Sequence, residues 1–269
     1  MDVTETVRPP AVAGRFYTQD GEALRAQIDD DLAHAPAPSK AAPKAVIGPH
    51  AGLRFSGPVA ATAFRQLAPA QQTIERVVVI GPSHFVAFRG IAAPSVDWFQ
   101  TPLGHVPVDR DGVATALEQS GVVVDDAPHQ REHSVEIHLL FIQRVLGDVP
   151  VIPLVVGNAQ PAQVGRVLAA LWGGDETAIA VSSDLSHFQD DATARALDRA
   201  TADAIEAKRV DALSPADACG YLPVGGLLWN VADTDARVQT LDLRNSSDAG
   251  APRASVVGYG AFTLQQGPS

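Results

Sequence analysis

The strongest constraint on the fold is a series of short apolar runs that alternate along the chain with segments of helical spacing. Three of these runs, at 76–81, 150–157 and 177–183, are largely apolar and rich in β-branched residues. Runs of this length and composition are typical of strands buried on both faces of a sheet. Apolar residues recur at helical spacing between and after them, over 110–119, 134–146, 161–172 and 191–207. The alternation predicts an α/β fold with a mixed, mostly parallel central sheet flanked by helices.

The remaining segments extend this pattern toward both ends of the chain. The other predicted elements are helices over 22–33 and 58–67, short strands at 45–48 and 122–124, and a loop over 35–43. Two late strands, at 237–244 and 254–264, have no helix between them, which predicts an antiparallel edge of the sheet. No internal linker is evident, so residues 1–269 are predicted to form a single domain.

Composition limits the classes of partner. Hydrophobic residues make up 46% of the chain and charged residues 19%, which favours a sizeable buried core. The net charge of −11 disfavours binding to a nucleic-acid backbone. The single cysteine cannot form an internal disulfide, no apolar run is long enough to span a bilayer, and no signal peptide is visible. We therefore expect a cytoplasmic protein with neither nucleic acid nor membrane as a partner.

Three histidines share one position relative to the predicted strands. His50, His84 and His187 each lie just beyond the carboxyl end of a different apolar run. Because the carboxyl ends of parallel strands meet at one edge of an open α/β sheet, the three imidazoles are expected to converge there. Imidazole serves both as a metal ligand and as a general acid–base. The spacing therefore predicts a shared site.

Other residues carry chemistry with less specific patterns. Cys219 precedes a glycine in a predicted turn, where it is either a metal ligand or a small buried apolar residue. Asp184 lies three residues before His187 and either orients an imidazole or stabilises the turn. The acidic and histidine-rich segment 132–138 either begins a helix or lines the pocket. The chain contains no His-Glu-x-x-His, phosphate-binding loop or nucleophile elbow.

A set of motifs resembles one known family. The motifs extend in order over nearly the whole chain: Arg8-Pro-Pro-Ala-Val-Ala-Gly-Arg-Phe-Tyr17, Pro49-His-Ala-Gly52, Phe55-Ser-Gly57, Gly81-Pro-Ser-His84, Thr101-Pro-Leu-Gly104, Glu132-His-Ser-Val-Glu136, Ser183-Asp-Leu-Ser-His187 and Cys219-Gly220. As a set they resemble the Memo family, whose bacterial members include proteins like AmmeMemoRadiSam system protein B. The fold of that family is similar to that of class III (LigB-like) extradiol dioxygenases.

The resemblance implies a metal centre formed by His50, His84 and Cys219, with His187 as the acid–base group beside it. In the related dioxygenases, two histidines and a glutamate hold Fe(II). Here Cys219 stands in the position of the carboxylate. A thiolate is a softer ligand that also suits copper or zinc. Fe(II) is the expected cofactor because the related dioxygenases use it, and the thiolate makes copper or zinc the alternative.

Three functions are compatible with this site. The favoured hypothesis is a mononuclear non-haem iron oxidoreductase of extradiol-dioxygenase type, with a small catecholic substrate and O2 as partners and with His187 and Asp184 as catalytic residues. The expected pocket walls are Phe55, Phe85 and Tyr221. One alternative is a binding module without turnover that holds copper, iron or a phosphorylated peptide. The other is a zinc hydrolase that uses His50, His84 and His187 as ligands.

Overall fold

Nine strands form the central sheet of the protein, whose computed structural model describes residues 5–267. The strands, including three of a separate small sheet, are β1 (Val7–Arg8), β2 (Ala45–Gly48), β3 (Arg76–Pro82), β4 (Ile91–Ala93), β5 (Trp98–Thr101), β6 (Gly104–Pro107), β7 (Val122–Val124), β8 (Val151–Val156), β9 (Thr177–Ser182), β10 (His187–Gln189), β11 (Arg237–Asn245) and β12 (Val256–Gln265). The α-helices are α1 (Gly21–His34), α2 (Leu53–Phe64), α3 (Arg110–Leu117), α4 (Ala127–Gln130), α5 (Ser134–Val145), α6 (Pro161–Ala170), α7 (Asp191–Glu206) and α8 (Tyr221–Asn230).

The strand order confirms the predicted mixed α/β fold. The central sheet has the order β10-β12-β2-β9-β3-β8-β4-β7, and β11 also pairs with β12, outside this linear order. Its middle four strands, from β2 to β8, are parallel to one another. Antiparallel pairing joins β12 to β2 and β4 to β8, and the predicted antiparallel edge is formed by β11 and β12. The small sheet has the order β1-β5-β6.

The parallel strands form the centre of the core. Every residue of β2, β8 and β9 is buried, which explains why these segments are apolar throughout and do not alternate with polar residues. Helix α5 packs on β3, and α8 packs on β9 and β3. Among residues 5–267, no helix combines the length and apolar character that a bilayer crossing requires.

A proline is accommodated inside the buried strand β8. The carbonyls of Pro150 and Val156 accept hydrogen bonds from the β3 side. The carbonyl of Val151 instead accepts from the amide of Asp109, on the opposite side of the strand. Pro153 has the same orientation as Val151 because backbone groups alternate along a strand. Its missing N–H therefore faces the β4 side, where β4 pairs only with the last two residues of β8, so no sheet hydrogen bond is lost.

The predicted helix start at residue 58 is wrong. Helix α2 begins at Leu53 and contains Pro58 in its interior. The amide of Leu53 donates to the carbonyl of Phe16 at 2.9 Å, so a contact with a distant segment fixes the first turn. Strands β4, β5 and β6 and helix α8 also lie in segments for which no element was predicted.

The buried Glu136 carboxylate ties the N-terminal segment to α5. It forms an ion pair with Arg8 and accepts hydrogen bonds from the Tyr17 hydroxyl and from the amides of Ala11 and Val12, the last two at 2.7 and 3.1 Å. Arg8 is 5% exposed and Glu136 is 0% exposed. A fully buried carboxylate requires this number of donors to compensate for lost hydration.

We expect Glu136→Ala to lower the free energy of unfolding by about 3–5 kcal/mol, because it leaves a buried guanidinium and several donors without partners. Chemical denaturation monitored by circular dichroism measures this difference. The matched control is Asp29→Ala, which removes the exposed ion pair between Asp29 and Arg144 and should cost about 0–1 kcal/mol. Equal losses in the two variants would contradict the role of the Glu136 network.

Candidate metal centre

The parallel register brings residues from three adjacent strands to one edge of the sheet. Strands β2, β9 and β3 are neighbours, with Gly48 opposite Ser182. His50, Asp184 and His84 follow the carboxyl ends of these strands. The ring centroids of His50 and His84 are 5.1 Å apart. The structure therefore places these two predicted ligands side by side.

A third imidazole completes the group. His133 lies in the turn before α5, and its ring centroid is 5.2 Å from that of His50 and 4.7 Å from that of His84. One potential ligand atom from each of the three histidines lies within 4.8 Å of the other two, and residues 5–267 contain no other such group of three. The His50–His84–His133 cluster is hereafter called the histidine cluster.

The buried carboxylate of Glu132 orients two members of the histidine cluster. It accepts hydrogen bonds from the amide of His84 at 2.6 Å and from those of His133 and Ser134 at 2.9 Å. Its Oε1 also lies 2.8 Å from Nδ1 of His84. Burial raises the pKa of Glu132, but the proximity of the His133 side chain and the hydrogen bonds from His84 outweigh burial and hold that pKa far below its usual value. The ionised carboxylate can only accept, so Nδ1 of His84 carries a proton and, in the neutral imidazole, the lone pair lies on Nε2.

A serine fixes the tautomer of His50 in the same way. The hydroxyl of Ser182 donates its only proton to the carbonyl of Ser134 at 2.6 Å. Its contact with Nδ1 of His50 at 2.7 Å must therefore be one in which the imidazole donates. Burial, followed by the proximity of His133 and His84, holds the pKa of His50 well below its usual value. His50 is thus a neutral imidazole with Nε2 free to bind a metal.

Cys219 approaches the histidine cluster from the loop before α8. Its Sγ lies 3.4 Å from Nε2 of His50 and accepts a hydrogen bond from the amide of Asp184 at 3.3 Å. Burial and the charge of Asp184 raise the pKa of the Cys219 thiol. Without a metal the group is therefore a thiol. A bound cation would favour the thiolate and so make the sulfur a ligand.

Asp184 and His187 lie on the same side of this edge. The Oδ1 of Asp184 accepts a hydrogen bond from the amide of His50 at 2.8 Å. Burial raises the pKa of Asp184, while the bond from His50 and the proximity of His187 act in the opposite direction. The Nδ1 of the half-buried His187 lies 2.8 Å from the carbonyl of Leu185, to which it can only donate. Nε2 is therefore the basic nitrogen of His187.

Two glycines permit the close approach of the loops that carry these groups. A Cβ at Gly220 would lie 2.4 Å from the carbonyl oxygen of Ser182, and a Cβ at Gly81 would lie 2.6 Å from Oγ of Ser134. Both distances are too short for any side chain. The first glycine brings the Cys219 loop onto the end of β9, and the second brings the start of α5 onto the end of β3.

The donor set suits a metal ion. His50 and His84 offer neutral nitrogen lone pairs whose orientation is fixed by hydrogen bonds at Nδ1. The Nδ1 of His133 is buried, lies 3.3 Å from Oε1 of Glu132, and makes no hydrogen bond within residues 5–267. Three imidazoles beside a thiol match the ligands that zinc, iron and copper accept.

The rim of the site is aromatic and partly cationic. Phe85 is 42% exposed, and its ring lies 5.8 Å from that of His133 and 4.9 Å from the guanidinium carbon of Arg131. Phe16 contacts His133 on another side, with ring centroids 4.8 Å apart. Of the other expected pocket walls, Tyr221 lines a cavity of about 330 Å³ together with Cys219. Phe55 instead packs against the hydrophobic core.

Sequence reasoning did not assign His133 or Glu132 to the metal centre. Both lie in the segment 132–138, which was interpreted as either a helix start or a pocket wall. The available signal was the direct succession of a carboxylate and a histidine ahead of an apolar helix. That succession does not reveal where the turn docks. The carboxyl ends of parallel strands meet at one edge of the sheet, but the start of a helix has no such fixed place.

Proteins of one family are similar to this chain over nearly its whole length. A sequence model of the family described as "Memo-like protein" matches residues 8–263. A MEMO1 family protein of Methanothermobacter thermautotrophicus is 33% identical over 275 residues, which cover 94% of this chain and 98% of that protein. A MEMO1 family protein of Thermotoga petrophila is 34% identical over 274 residues, with coverage of 94% and 97%.

A solved structure shares the fold at low sequence identity. The crystal structure of an uncharacterized protein from Escherichia coli K12 superposes with a TM-score of 0.53 and is 14% identical. The match covers 81% of this chain and 98% of that one. Similarity at this identity shows the fold alone.

Replacement of any member of the histidine cluster should abolish stoichiometric metal binding. We expect the unmodified protein to bind one equivalent of Fe(II) or copper, and we expect His50→Ala, His84→Ala and His133→Ala each to lose it, as measured by metal analysis after anaerobic loading and gel filtration. The matched control is His105→Ala, since His105 is exposed on β6 and should leave metal content unchanged. Tight binding of one metal by the His50→Ala/His84→Ala double variant would refute the site.

A bound metal should protect Cys219 from alkylation. If the sulfur becomes a thiolate ligand, iodoacetamide should label Cys219 at least about tenfold more slowly in the metal-loaded protein. Mass spectrometry measures this rate without interference because the chain has no other cysteine. Equal labelling rates with and without metal would show that Cys219 contributes packing only.

Proposed function

The chain belongs to the Memo family, and we propose that it is a mononuclear non-haem iron oxidoreductase that acts with O2 on a small catecholic substrate. The single observation that carries this proposal is the convergence of His50, His84 and His133 at the carboxyl ends of the central strands. When bound, Fe(II) would supply the redox and Lewis-acid chemistry that allows O2 to react with an aromatic diol.

The neutral ligands favour an anionic substrate. The imidazole of His50 is uncharged, so it would not offset the positive charge of a bound cation. A catecholate, which carries negative charge on adjacent oxygens, would compensate for that charge more completely than a neutral molecule. The aromatic residues Phe16 and Phe85 beside His133 offer apolar surface to the substrate ring.

His187 is the proposed acid–base group. Its Nδ1 is held by the carbonyl of Leu185, which leaves Nε2 to accept a proton from a substrate hydroxyl and to return it later. Asp184 is a positioning residue. Its carboxylate fixes the backbone of His50 and its backbone carbonyl accepts a hydrogen bond from the amide of Cys219 at 3.3 Å.

A zinc hydrolase is the second candidate. Three histidine ligands with a further position for water are a known arrangement of catalytic zinc, and the histidine cluster offers that number of imidazoles. The sequence predicted His187 as the third zinc ligand, but the third member of this group is His133. Metal content separates the two candidates, since zinc cannot support reduction of O2.

Oxygen uptake tests the proposed reaction. Protein loaded anaerobically with one equivalent of Fe(II) should consume O2 when a catechol is added, as measured with an oxygen electrode across a panel of catechols. His187→Ala should retain the metal and lose about 100-fold or more of the rate, because a general acid–base acts mainly on the transition state.

Zinc-loaded protein is the control for the chemistry, and His105→Ala is the control for the loss of an exposed imidazole outside the cluster. Loss of metal from His187→Ala would contradict the acid–base role and make His187 a ligand. Absence of oxygen uptake with every catechol by the fully iron-loaded protein would refute the proposed function. Ester hydrolysis by the zinc-loaded protein would then favour the second candidate.

A further inference from the structure

Phe188 has a backbone conformation that is unfavourable for its side chain. Its φ angle is +61°, and within residues 5–267 only one other non-glycine residue, Lys208, has a positive φ. The left-handed region is costly for a bulky L-residue and is normally occupied by glycine, asparagine or aspartate. The ring is also 76% exposed. Burial of the ring therefore contributes little to offset the strain.

The strained backbone places the ring beside His187. Strand β10 pairs with β12 through His187 opposite Val257 and Gln189 opposite Val256, so the register shifts at Phe188. In a regular strand, consecutive side chains project to opposite faces. Here the rings of His187 and Phe188 lie 5.6 Å apart with an interplanar angle of 63°. A register shift of this kind redirects side chains and is frequent next to active sites.

This location follows the loop that connects β9 to β10 and carries Asp184. His187 follows Asp184 in the loop after β9, and Asp184 bonds the backbone of His50. A substrate bound beside His187 would therefore have the exposed ring of Phe188 as a neighbour. Single exposed apolar residues are common and need no explanation. An exposed aromatic ring held there at the expense of backbone strain is uncommon, and such strain concentrates at ligand-binding sites.

We propose that Phe188 is a specificity-determining residue that packs against the ring of a planar aromatic substrate bound beside His187. The proposal rests on the proposed function for the location of the substrate, but it concerns binding and not the reaction. A phenyl ring favours another aromatic ring in an offset-stacked or edge-to-face arrangement. It offers no hydrogen bond, so it discriminates a flat ring from a non-planar molecule with the same hydroxyl groups.

Binding to zinc-loaded, full-length protein tests the role without any oxygen chemistry. The probe is 4-methylcatechol, titrated by calorimetry, and the comparison ligand is cis-1,2-cyclohexanediol, which has two adjacent hydroxyls but no flat ring. Phe188→Ala and Phe188→Gly should each weaken binding of 4-methylcatechol about 3- to 10-fold, and Phe188→Trp should retain it. The matched control is Leu197→Ala, which removes a side chain that is 36% exposed on α7.

Thermal stability provides the second measurement. Both Phe188→Ala and Phe188→Gly remove the ring, but only glycine relieves the left-handed strain. Phe188→Gly should therefore melt roughly 2–4 °C above Phe188→Ala. An equal or lower melting temperature would show that the backbone is not strained at this position and would overturn that part of the argument.

The outcomes separate this proposal from the proposed function. Phe188-dependent binding of 4-methylcatechol without oxygen uptake by the iron-loaded protein would refute the dioxygenase and retain the role of Phe188. Equal affinity in the unmodified protein, Phe188→Ala and Phe188→Gly would overturn the role of Phe188, whatever the oxygen electrode shows. Absence of 4-methylcatechol binding to the unmodified protein, or equal weakening by Leu197→Ala, would also overturn it.

Discussion

The geometry of the candidate metal centre depends on the buried ion pair between Arg8 and Glu136. Arg8 donates not only to Glu136 but also to the backbone carbonyls of His129 and Glu132, and so holds the turn that carries His133. The same carboxylate fixes the segment that presents Phe16 to the ring of His133. An ion pair without solvent is stable only when all its partners are present. The N-terminal segment, α5 and one member of the histidine cluster are therefore ordered together.

Two buried carboxylates on adjacent turns thus have different tasks. Glu136 joins segments that are distant in sequence, whereas Glu132 acts locally on the amides and imidazoles of the site. Glu132 retains its charge because it accepts several hydrogen bonds at once. That charge in turn fixes a proton on Nδ1 of His84 and the orientation of its ring. Ser182 performs the corresponding task for His50 with a neutral group.

The sequence was sufficient to predict the parts of the fold that follow from local patterns. Apolar runs identified β3, β8 and β9. The rule that the carboxyl ends of parallel strands meet at one edge of the sheet predicted that His50 and His84 lie together. The same rule could not locate His133, because its position depends on how the turn before α5 docks through Arg8 and Glu132. The start of α2 at Leu53 depends likewise on a contact with Phe16. The conformation of Phe188 follows from the pairing of β10 with β12, a long-range contact for which the local sequence gives no signal.

The state of Cys219 connects the fold to the choice of metal. Burial and the charge of Asp184 raise the pKa of its thiol, so formation of the thiolate costs free energy that the metal–sulfur bond must offset. A soft ion such as copper(I), or zinc, gains more from a thiolate than Fe(II) does. At the proposed site, a harder ion is therefore held mainly by the imidazoles of the histidine cluster, and a softer ion recruits the sulfur that lies 3.4 Å from His50. Asp184 fixes the backbone of His50 and also raises the pKa of Cys219. The residue that shapes the site therefore disfavours binding of a soft ion through the Cys219 thiolate.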